Sequence, residues 1–139
     1  MNKLETAINQ AIEELELPSA WPSAVSKELP SESNFPYQGN YKDFTDMHFV
    51  TIDGEDAKDF DDAVLCERTS QGFTLRVAIA DVSGAVIPNT AMDKEARKRG
   101  TSIYFPGLVI PMLPEAISNN ICSLVPQQNR NTVVCQMMF

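Results

Sequence analysis

A dense group of carboxylates near the middle of the chain is the part of the sequence best suited to chemistry. Its segment, residues 51–64, reads T-I-D-G-E-D-A-K-D-F-D-D-A-V and contains one base, Lys58. The candidate ligands are Asp53, Asp59, Asp61 and Asp62. Crowded carboxylates repel one another, and a folded chain tolerates them mainly where divalent cations or solvent offset the charge. The segment is therefore a candidate metal site.

The spacing of these aspartates favours a hard divalent cation. Asp53 follows the β-branched run 50–52, which we predict to be a short strand. In an extended chain Asp59 and Asp61 point to one side, and Asp62 points to the other. A loop that folds back towards Asp53 would supply oxygen ligands from two segments. Such ligands suit Mg²⁺ or Mn²⁺, and paired cations of this kind activate water and stabilise the leaving oxygen in phosphodiester cleavage.

Two other interpretations of the acidic segment are an EF-hand calcium loop and a solvated acidic loop. An EF-hand calcium loop that starts at Asp56 would place Glu67 correctly at its twelfth position. Its third, fifth and sixth positions, however, would be Lys58, Phe60 and Asp61, where acids and a glycine are needed. That interpretation fails. A solvated acidic loop remains an alternative, although an aromatic residue among the acids favours a folded element.

The acidic segment resembles the signature of the RNB catalytic domain of the ribonuclease II and ribonuclease R exoribonucleases, in its ribonuclease R form. The similarity continues, in the family's order and spacing, through V-A-I-A-D-V-S (77–83), D-K-E-A-R-K-R-G-T-S-I-Y-F-P (93–106), V-I-P-M-L-P-E (109–115) and S-N-N-I-C-S-L (118–124). The resemblance implies a processive hydrolase that degrades RNA from the 3′ end and releases nucleoside 5′-monophosphates. It also implies a helical lead-in and linker over 1–45 and the first part of an RNB domain over 46–139.

The resemblance assigns roles to individual residues. The four aspartates would hold Mg²⁺ or Mn²⁺, with Asp61 the most important for the rate. Tyr104 matches the family's aromatic residue that stacks near the 3′ end of the RNA. Arg97 and Arg99 belong to the basic stretch 94–99 just before it and are candidate phosphate contacts. The alternative for these arginines is that bases simply stabilise the C-terminal end of a helix.

The charge of the chain bears on its partners. Its net charge is −8, with 19 acids against 11 Lys and Arg residues, whereas binding to single-stranded RNA is usually carried by Lys and Arg. The family's enzymes have cold-shock and S1 RNA-binding domains and a longer RNB domain, and we expect such segments to supply the positive field. The fragment alone should be inactive. A non-enzymatic cation-binding module and a degenerate RNB-like interaction domain remain open as alternatives.

Composition indicates a cytoplasmic globular domain. The chain has 139 residues, of which 43% are hydrophobic, enough for one modest core. No apolar run approaches the roughly 18 residues of a membrane span. Cys66, Cys122 and Cys135 are far apart in apolar contexts, without C-x-x-C spacing. We therefore predict free, buried thiols in a reducing compartment.

The hydrophobic pattern predicts an α+β (mixed) fold, with N-terminal helices followed by a strand-rich part. Helices are predicted over 1–17, 22–29, 89–99 and 114–119, a linker over 31–40, and strands over 62–68, 73–82, 109–113 and 132–139. Trp21 should anchor the first two helices to the core. Asp81 is either a further acid near the metals or a strand-end carboxylate that binds turn amides. His48 has no partner at helical or strand spacing and is left out of the site.

Overall fold

The structure is a computed structural model that describes residues 3–30, 40–55 and 57–139. It has the predicted mixture of helices and antiparallel strands. The main elements are α1 (Lys3–Glu14), α2 (Ser23–Lys27), β1 (Asp62–Thr69), β2 (Gly72–Ala80), α3 (Ala91–Arg99), β3 (Ile103–Phe105), β4 (Leu108–Ile110), a π-helix (Ala116–Ile121) and β5 (Thr132–Met138). The first two residues of the predicted helix over 1–17 and all of the predicted linker except Asn40 lie outside the described residues.

The chain forms two compact units. One unit comprises Met1–Leu29 and Ile87–Pro114, and the other comprises Pro30–Val86 and Glu115–Phe139. The aspartates of the acidic segment all belong to the second unit, whereas Tyr104 belongs to the first. The sequence-based division into 1–45 and 46–139 stays a prediction.

The second unit is built on a three-stranded antiparallel sheet in the order β1-β2-β5. The predicted strands over 62–68 and 73–82 are confirmed as β1 and β2, which form a hairpin and are paired up to their shared turn, where Thr69 lies opposite Gly72. The small side chains of Ala63 and Ala78, which are partners across this hairpin, are buried. Ile117 of the π-helix is also buried. The core of this unit thus combines one face of the sheet with the π-helix.

The predicted strand over 50–52 is wrong. Val50 makes a single bridge to Val64 of β1, and Ile52 is 83% exposed. A β-branched run favours extended backbone, but a strand persists only where neighbouring backbone groups pair along its length. The bridge nevertheless ties the start of the acidic segment to β1.

The predicted extended segment 109–113 is shorter than expected and belongs to a hairpin that the sequence did not reveal. β4 ends at Ile110, directly before Pro111, which has no N–H to offer to a strand partner. β3 and β4 are antiparallel, with Tyr104 opposite Val109. Gly107, in the turn between them, has φ 78°, a conformation that glycine adopts without steric cost.

The first unit is held together at the start of α3. The Thr90 hydroxyl accepts a hydrogen bond from the Asp93 N–H (3.3 Å), as a capping residue should. The carboxylate of Glu28, at the end of α2, accepts from the N–H groups of Ala91 (3.0 Å) and Met92 (2.8 Å). A negative charge at a helix N-terminus is favourable, so these bonds fix α2 to α3.

Trp21 anchors the N-terminal segment through an arginine. The Arg99 guanidinium lies 3.5 Å from the centroid of the Trp21 ring and donates to the carbonyl oxygens of Ala20 (2.8 Å) and Pro111 (3.0 Å). It also pairs with Glu95 one turn earlier (3.0 Å). The Arg99 side chain is only 2% exposed. Arg99 therefore cross-links three segments of this unit.

The prediction for the cysteines is correct for one residue and wrong for two. All three thiols are free, but Cys66 and Cys135 are exposed and only Cys122 is buried. Both exposed thiols lie on the face of the sheet that also carries the exposed Phe73. An apolar strand sequence does not reveal which of its faces the fold covers. Within the described ranges, no helix is long and apolar enough to cross a membrane.

We expect Gly72→Ala to lower the free energy of unfolding by more than about 1 kcal/mol. Gly72 has φ 138°, and a Cβ there would overlap the carbonyl oxygen of Phe139, whose backbone pairs with Phe73. Urea denaturation followed by circular dichroism measures the change. Gly54→Ala is the matched control, because a Cβ at Gly54 meets nothing within 4 Å. Equal stability of the two variants would contradict the expectation.

The thiols should differ in reactivity. Burial raises the pKa of the Cys122 thiol to about 11, and the thiolate is the reactive form. At pH about 8 a disulfide reagent should therefore modify Cys66 and Cys135 rapidly in the native chain, and Cys122 only after unfolding. Mass spectrometry of the modified peptides identifies the sites, and Cys122→Ala should retain both fast thiols. Rapid labelling of Cys122 in the native chain would contradict the buried position of this thiol.

Candidate metal site

Three of the four candidate aspartates lie where the acidic segment enters β1. The Asp61 carbonyl accepts a hydrogen bond from the Ala80 N–H (2.8 Å), and Asp62 begins β1 opposite Ile79. Asp59 lies two residues before Asp61 on the same extended segment. The sheet therefore fixes the backbone at Asp61 and Asp62, and Asp59 directly precedes this part of the chain.

The fourth aspartate comes from a separate segment that is tied to the same strand. Val50 and Val64 exchange two backbone hydrogen bonds, of 3.0 and 2.9 Å. Asp53 follows this bridge by three residues. The loop therefore folds back, as the sequence predicted, and the acids come from two backbone segments.

Asp61 is the electrostatic centre of the group. Partial burial raises the pKa of the Asp61 carboxyl, and the negative charges of Asp59, Asp62 and Asp53 raise it further, in that order of importance. A carboxylate whose pKa rises through like charges has those charges close by. The structure thus groups the four aspartates around Asp61.

The described carboxylates are neighbours without forming a closed ligand set. Among residues 3–30, 40–55 and 57–139, no three Asp, Glu, His or Cys side chains converge closely enough to hold a metal ion. Asp53, Asp61 and Asp62 are exposed, and Asp59 is half-buried. Exposed carboxylate oxygens are the donors that Mg²⁺ and Mn²⁺ prefer, and a divalent cation would offset the repulsion among them. The chemistry of the donor set therefore fits such a cation.

Asp81 has the second of its two predicted roles. Its carboxylate accepts from the Ser83 N–H (3.1 Å) and the Ser83 hydroxyl (2.6 Å), and so caps the short helix Val82–Gly84. It also accepts from the Tyr41 hydroxyl (3.3 Å). No local pattern of residues predicts this last contact, because its partners are 40 positions apart. Asp81 is a strand-end carboxylate that stabilises the turn after β2.

The predicted RNA-contacting residues lie in the first unit and differ in accessibility. Tyr104, on β3, is 68% exposed, whereas Phe105 is half-buried. The Arg97 side chain is 75% exposed and pairs with Asp93 (3.0 Å). Arg99, by contrast, is committed to the fold, because every nitrogen of its guanidinium donates within the unit. These contacts tie Arg99 to Ala20 and Pro111, and they differ from the predicted alternative, in which bases stabilise the C-terminal end of their own helix.

Comparison with known proteins identifies relatives of the chain. The profile of the RNB domain family matches residues 41–139. Ribonuclease R of Escherichia coli (strain K12) is 50% identical over 139 residues, which cover 94% of this chain and 17% of that protein. Ribonuclease R of Mycoplasma pneumoniae (strain ATCC 29342 / M129 / Subtype 1) is 50% identical over 109 residues, which cover 78% of this chain and 15% of that protein. The chain therefore spans less than a fifth of the length of these relatives.

Solved structures show the same fold. Mycoplasma genitalium RNase R in complex with double-stranded RNA superimposes with a TM-score of 0.87 at 36% identity, covering 97% of this chain and 25% of that chain. The same enzyme in complex with ribose methylated single-stranded RNA gives a TM-score of 0.86 at 36% identity, covering 97% of this chain and 22% of that chain. These similarities confirm the α+β fold predicted from the sequence.

Asp61→Asn should stabilise the chain at neutral pH when a chelator removes divalent cations. Because the pKa of Asp61 is raised in the folded chain, its ionisation costs folding free energy, and the unmodified chain loses stability as the pH rises through the acidic range. The variant does not titrate at this position and therefore becomes more stable relative to the unmodified chain. Solvent screening limits the gain to about 0.5 kcal/mol, and added salt should shrink it. Thermal unfolding with and without salt measures it. Asp46→Asn is the control, because Asp46 is an exposed aspartate outside the group. A loss of stability in Asp61→Asn alone would contradict the grouping of the aspartates around Asp61.

Proposed function

The chain belongs to the RNB domain family, and we propose that it is the N-terminal part of the catalytic domain of a ribonuclease R-like enzyme. The enzyme would hydrolyse RNA processively from the 3′ end and release nucleoside 5′-monophosphates. The observation that carries this proposal is the group of aspartates around Asp61, located in the segment that matches the family signature. The 50% identity with ribonuclease R of E. coli over nearly the whole chain supports it further.

Asp53, Asp59, Asp61 and Asp62 are the proposed ligands of Mg²⁺ or Mn²⁺. When bound, such a cation lowers the pKa of a water molecule and stabilises the charge that develops on a phosphate. The contribution of the chain is to present carboxylates from two segments on a backbone fixed by β1 and β2. Asp61 has the other three carboxylates as neighbours. It is therefore the residue whose loss should affect the rate most.

The 3′ end of single-stranded RNA is the proposed partner. An exposed aromatic side chain can stack on an unpaired base, which is a common way to hold single-stranded RNA. Tyr104 is exposed in this way, and Arg97 presents an accessible positive charge in the same unit. Two of the Mycoplasma genitalium RNase R structures are complexes with RNA, one double-stranded and one ribose methylated and single-stranded. Because the net charge of the chain is −8, most of the positive field must come from the cold-shock, S1 and remaining RNB segments of a longer protein.

The non-enzymatic alternatives are not favoured. Over 94% of its length the chain is 50% identical to ribonuclease R of E. coli. All four signature aspartates are present. A cytoplasmic location is part of the proposal, and the three free cysteines are compatible with it.

A chimeric enzyme tests the proposed function. The segment of E. coli ribonuclease R that aligns with this chain is replaced by the chain, and the purified chimera is assayed on a 5′-labelled single-stranded RNA. We expect degradation that needs a divalent cation and releases nucleoside 5′-monophosphates. Asp61→Asn in the chimera should lower the rate at least about 100-fold while RNA binding, measured by filter retention, is retained.

Asp46→Asn in the chimera provides the control, because this exposed aspartate lies outside the group around Asp61. Its rate should equal that of the unmodified chimera. A folded chimera that binds RNA but does not cleave it would contradict the proposed catalytic role of this chain. Full activity of Asp61→Asn would contradict the assignment of the metal site.

A further inference from the structure

A buried serine makes two hydrogen bonds to the acidic segment. Ser123 is 1% exposed, although its side chain is polar. Its hydroxyl donates to the Lys58 carbonyl (2.8 Å) and accepts from the Phe60 N–H (3.1 Å). These two backbone groups lie on either side of Asp59. One side chain thus fixes the backbone immediately before and after a proposed metal ligand.

The same segment is held by further backbone bonds. The Leu124 N–H donates to the Phe60 carbonyl (2.9 Å), next to the bonds from Ser123. The Asp61 carbonyl accepts from Ala80 of β2 (2.8 Å). Every one of these bonds uses a backbone group of the acidic segment. The segment is therefore clamped along its backbone, while the carboxylates that it carries take no part in the clamp.

An arginine fixes Ser123 in turn. Nε of Arg130 donates to the Ser123 carbonyl (3.0 Å), and Nη2 donates to the Asn120 carbonyl (3.0 Å). Both carbonyls belong to the chain around the end of the π-helix. Because the N–H groups of a planar guanidinium donate in a fixed geometry, these two bonds restrain the backbone that carries Ser123.

A clamp of this kind matters because the group that it holds repels itself. Like charges around Asp61 favour any movement that separates them, and the described residues 57–61, just before β1, belong to no strand. The buried hydroxyl is not needed to fill space, since a nonpolar side chain could do that without its desolvation cost. Its two hydrogen bonds to one three-residue stretch are what distinguish it.

We propose that Ser123 is a positioning residue for the metal site. Its hydroxyl fixes the backbone around Asp59, and this fixes the positions of Asp59 and Asp61. This inference rests on the proposed function, because it concerns the same aspartates. Ser123 is 1% exposed, and both hydrogen bonds of its hydroxyl go to backbone groups. It acts through the segment that carries the ligands, as residues beyond the ligand shell do in many metal sites.

The test compares Ser123→Ala with the unmodified 139-residue chain in two measurements. Amide hydrogen exchange by NMR reports the clamp without metal, and a Mn²⁺ titration by calorimetry reports the ligands. We expect the Phe60 amide to exchange at least about 10-fold faster in Ser123→Ala, with Val77 in the middle of the sheet unchanged. The dissociation constant for Mn²⁺ should rise about 10-fold or more.

Ile117→Val is the control for a general loss of stability. Ile117 is fully buried in the same unit, but its side chain makes no hydrogen bond to the acidic segment. This variant should lower the unfolding temperature while leaving both Phe60 exchange and Mn²⁺ affinity unchanged. Equal effects of the two variants on Mn²⁺ affinity would reduce Ser123 to a stabilising residue and overturn the inference.

The remaining outcomes separate the inference from the proposed function. Unchanged exchange at Phe60 in Ser123→Ala would show that the clamp does not exist. Faster exchange with unchanged Mn²⁺ affinity would show that the clamp does not position the ligands. If the unmodified chain bound no Mn²⁺, the proposed metal site would fail in this chain, whereas selective exchange at Phe60 would still support Ser123 as the residue that fixes the Asp59 segment.

Discussion

Repulsion among the aspartates around Asp61 is the constraint on which the second unit depends. Four like charges held together cost free energy unless something opposes their separation. The opposing contacts are backbone hydrogen bonds: to Val64 near Asp53, to Ala80 at Asp61, and to Ser123 and Leu124 on either side of Asp59. The fold therefore keeps the side-chain oxygens available while it restrains the chain that carries them. Repulsion of this kind lowers stability locally unless a cation or solvent offsets it.

Arginine has a structural use in both units of this acidic chain. Arg99 donates to two carbonyls and a carboxylate and stacks on Trp21, and Arg130 donates to carbonyls around the end of the π-helix. Neither guanidinium is a free charge for RNA phosphates. Arginine suits this purpose because its planar guanidinium serves several acceptors at once and stays charged. These two arginines therefore stabilise the fold of a chain whose net charge is −8.

Much of the fold and of the site was predictable because its causes are local in sequence. Alternating apolar residues and a Gly at the turn specify the β1–β2 hairpin, and Thr90 and Gly100 bound α3. The identity and spacing of the four aspartates predict a cation site from charge alone. The incorrect prediction and the missed element also have local causes. The 50–52 run had the propensity of a strand but only one bridging partner. The β3–β4 hairpin, which the sequence did not reveal, is too short for a periodic pattern.

Sequence by itself determined the ligand chemistry, the hairpin and the helix ends, since side-chain type, backbone preference and capping act between residues close in the chain. Only the tertiary structure decided which residues support them. Ser123 meets Lys58 65 positions away, Arg99 meets Ala20 79 positions away, and Cys66 and Cys135 lie on an exposed face of the sheet. Such contacts depend on how distant segments pack, and no local pattern of residues encodes which buried hydroxyl or guanidinium will find which carbonyl.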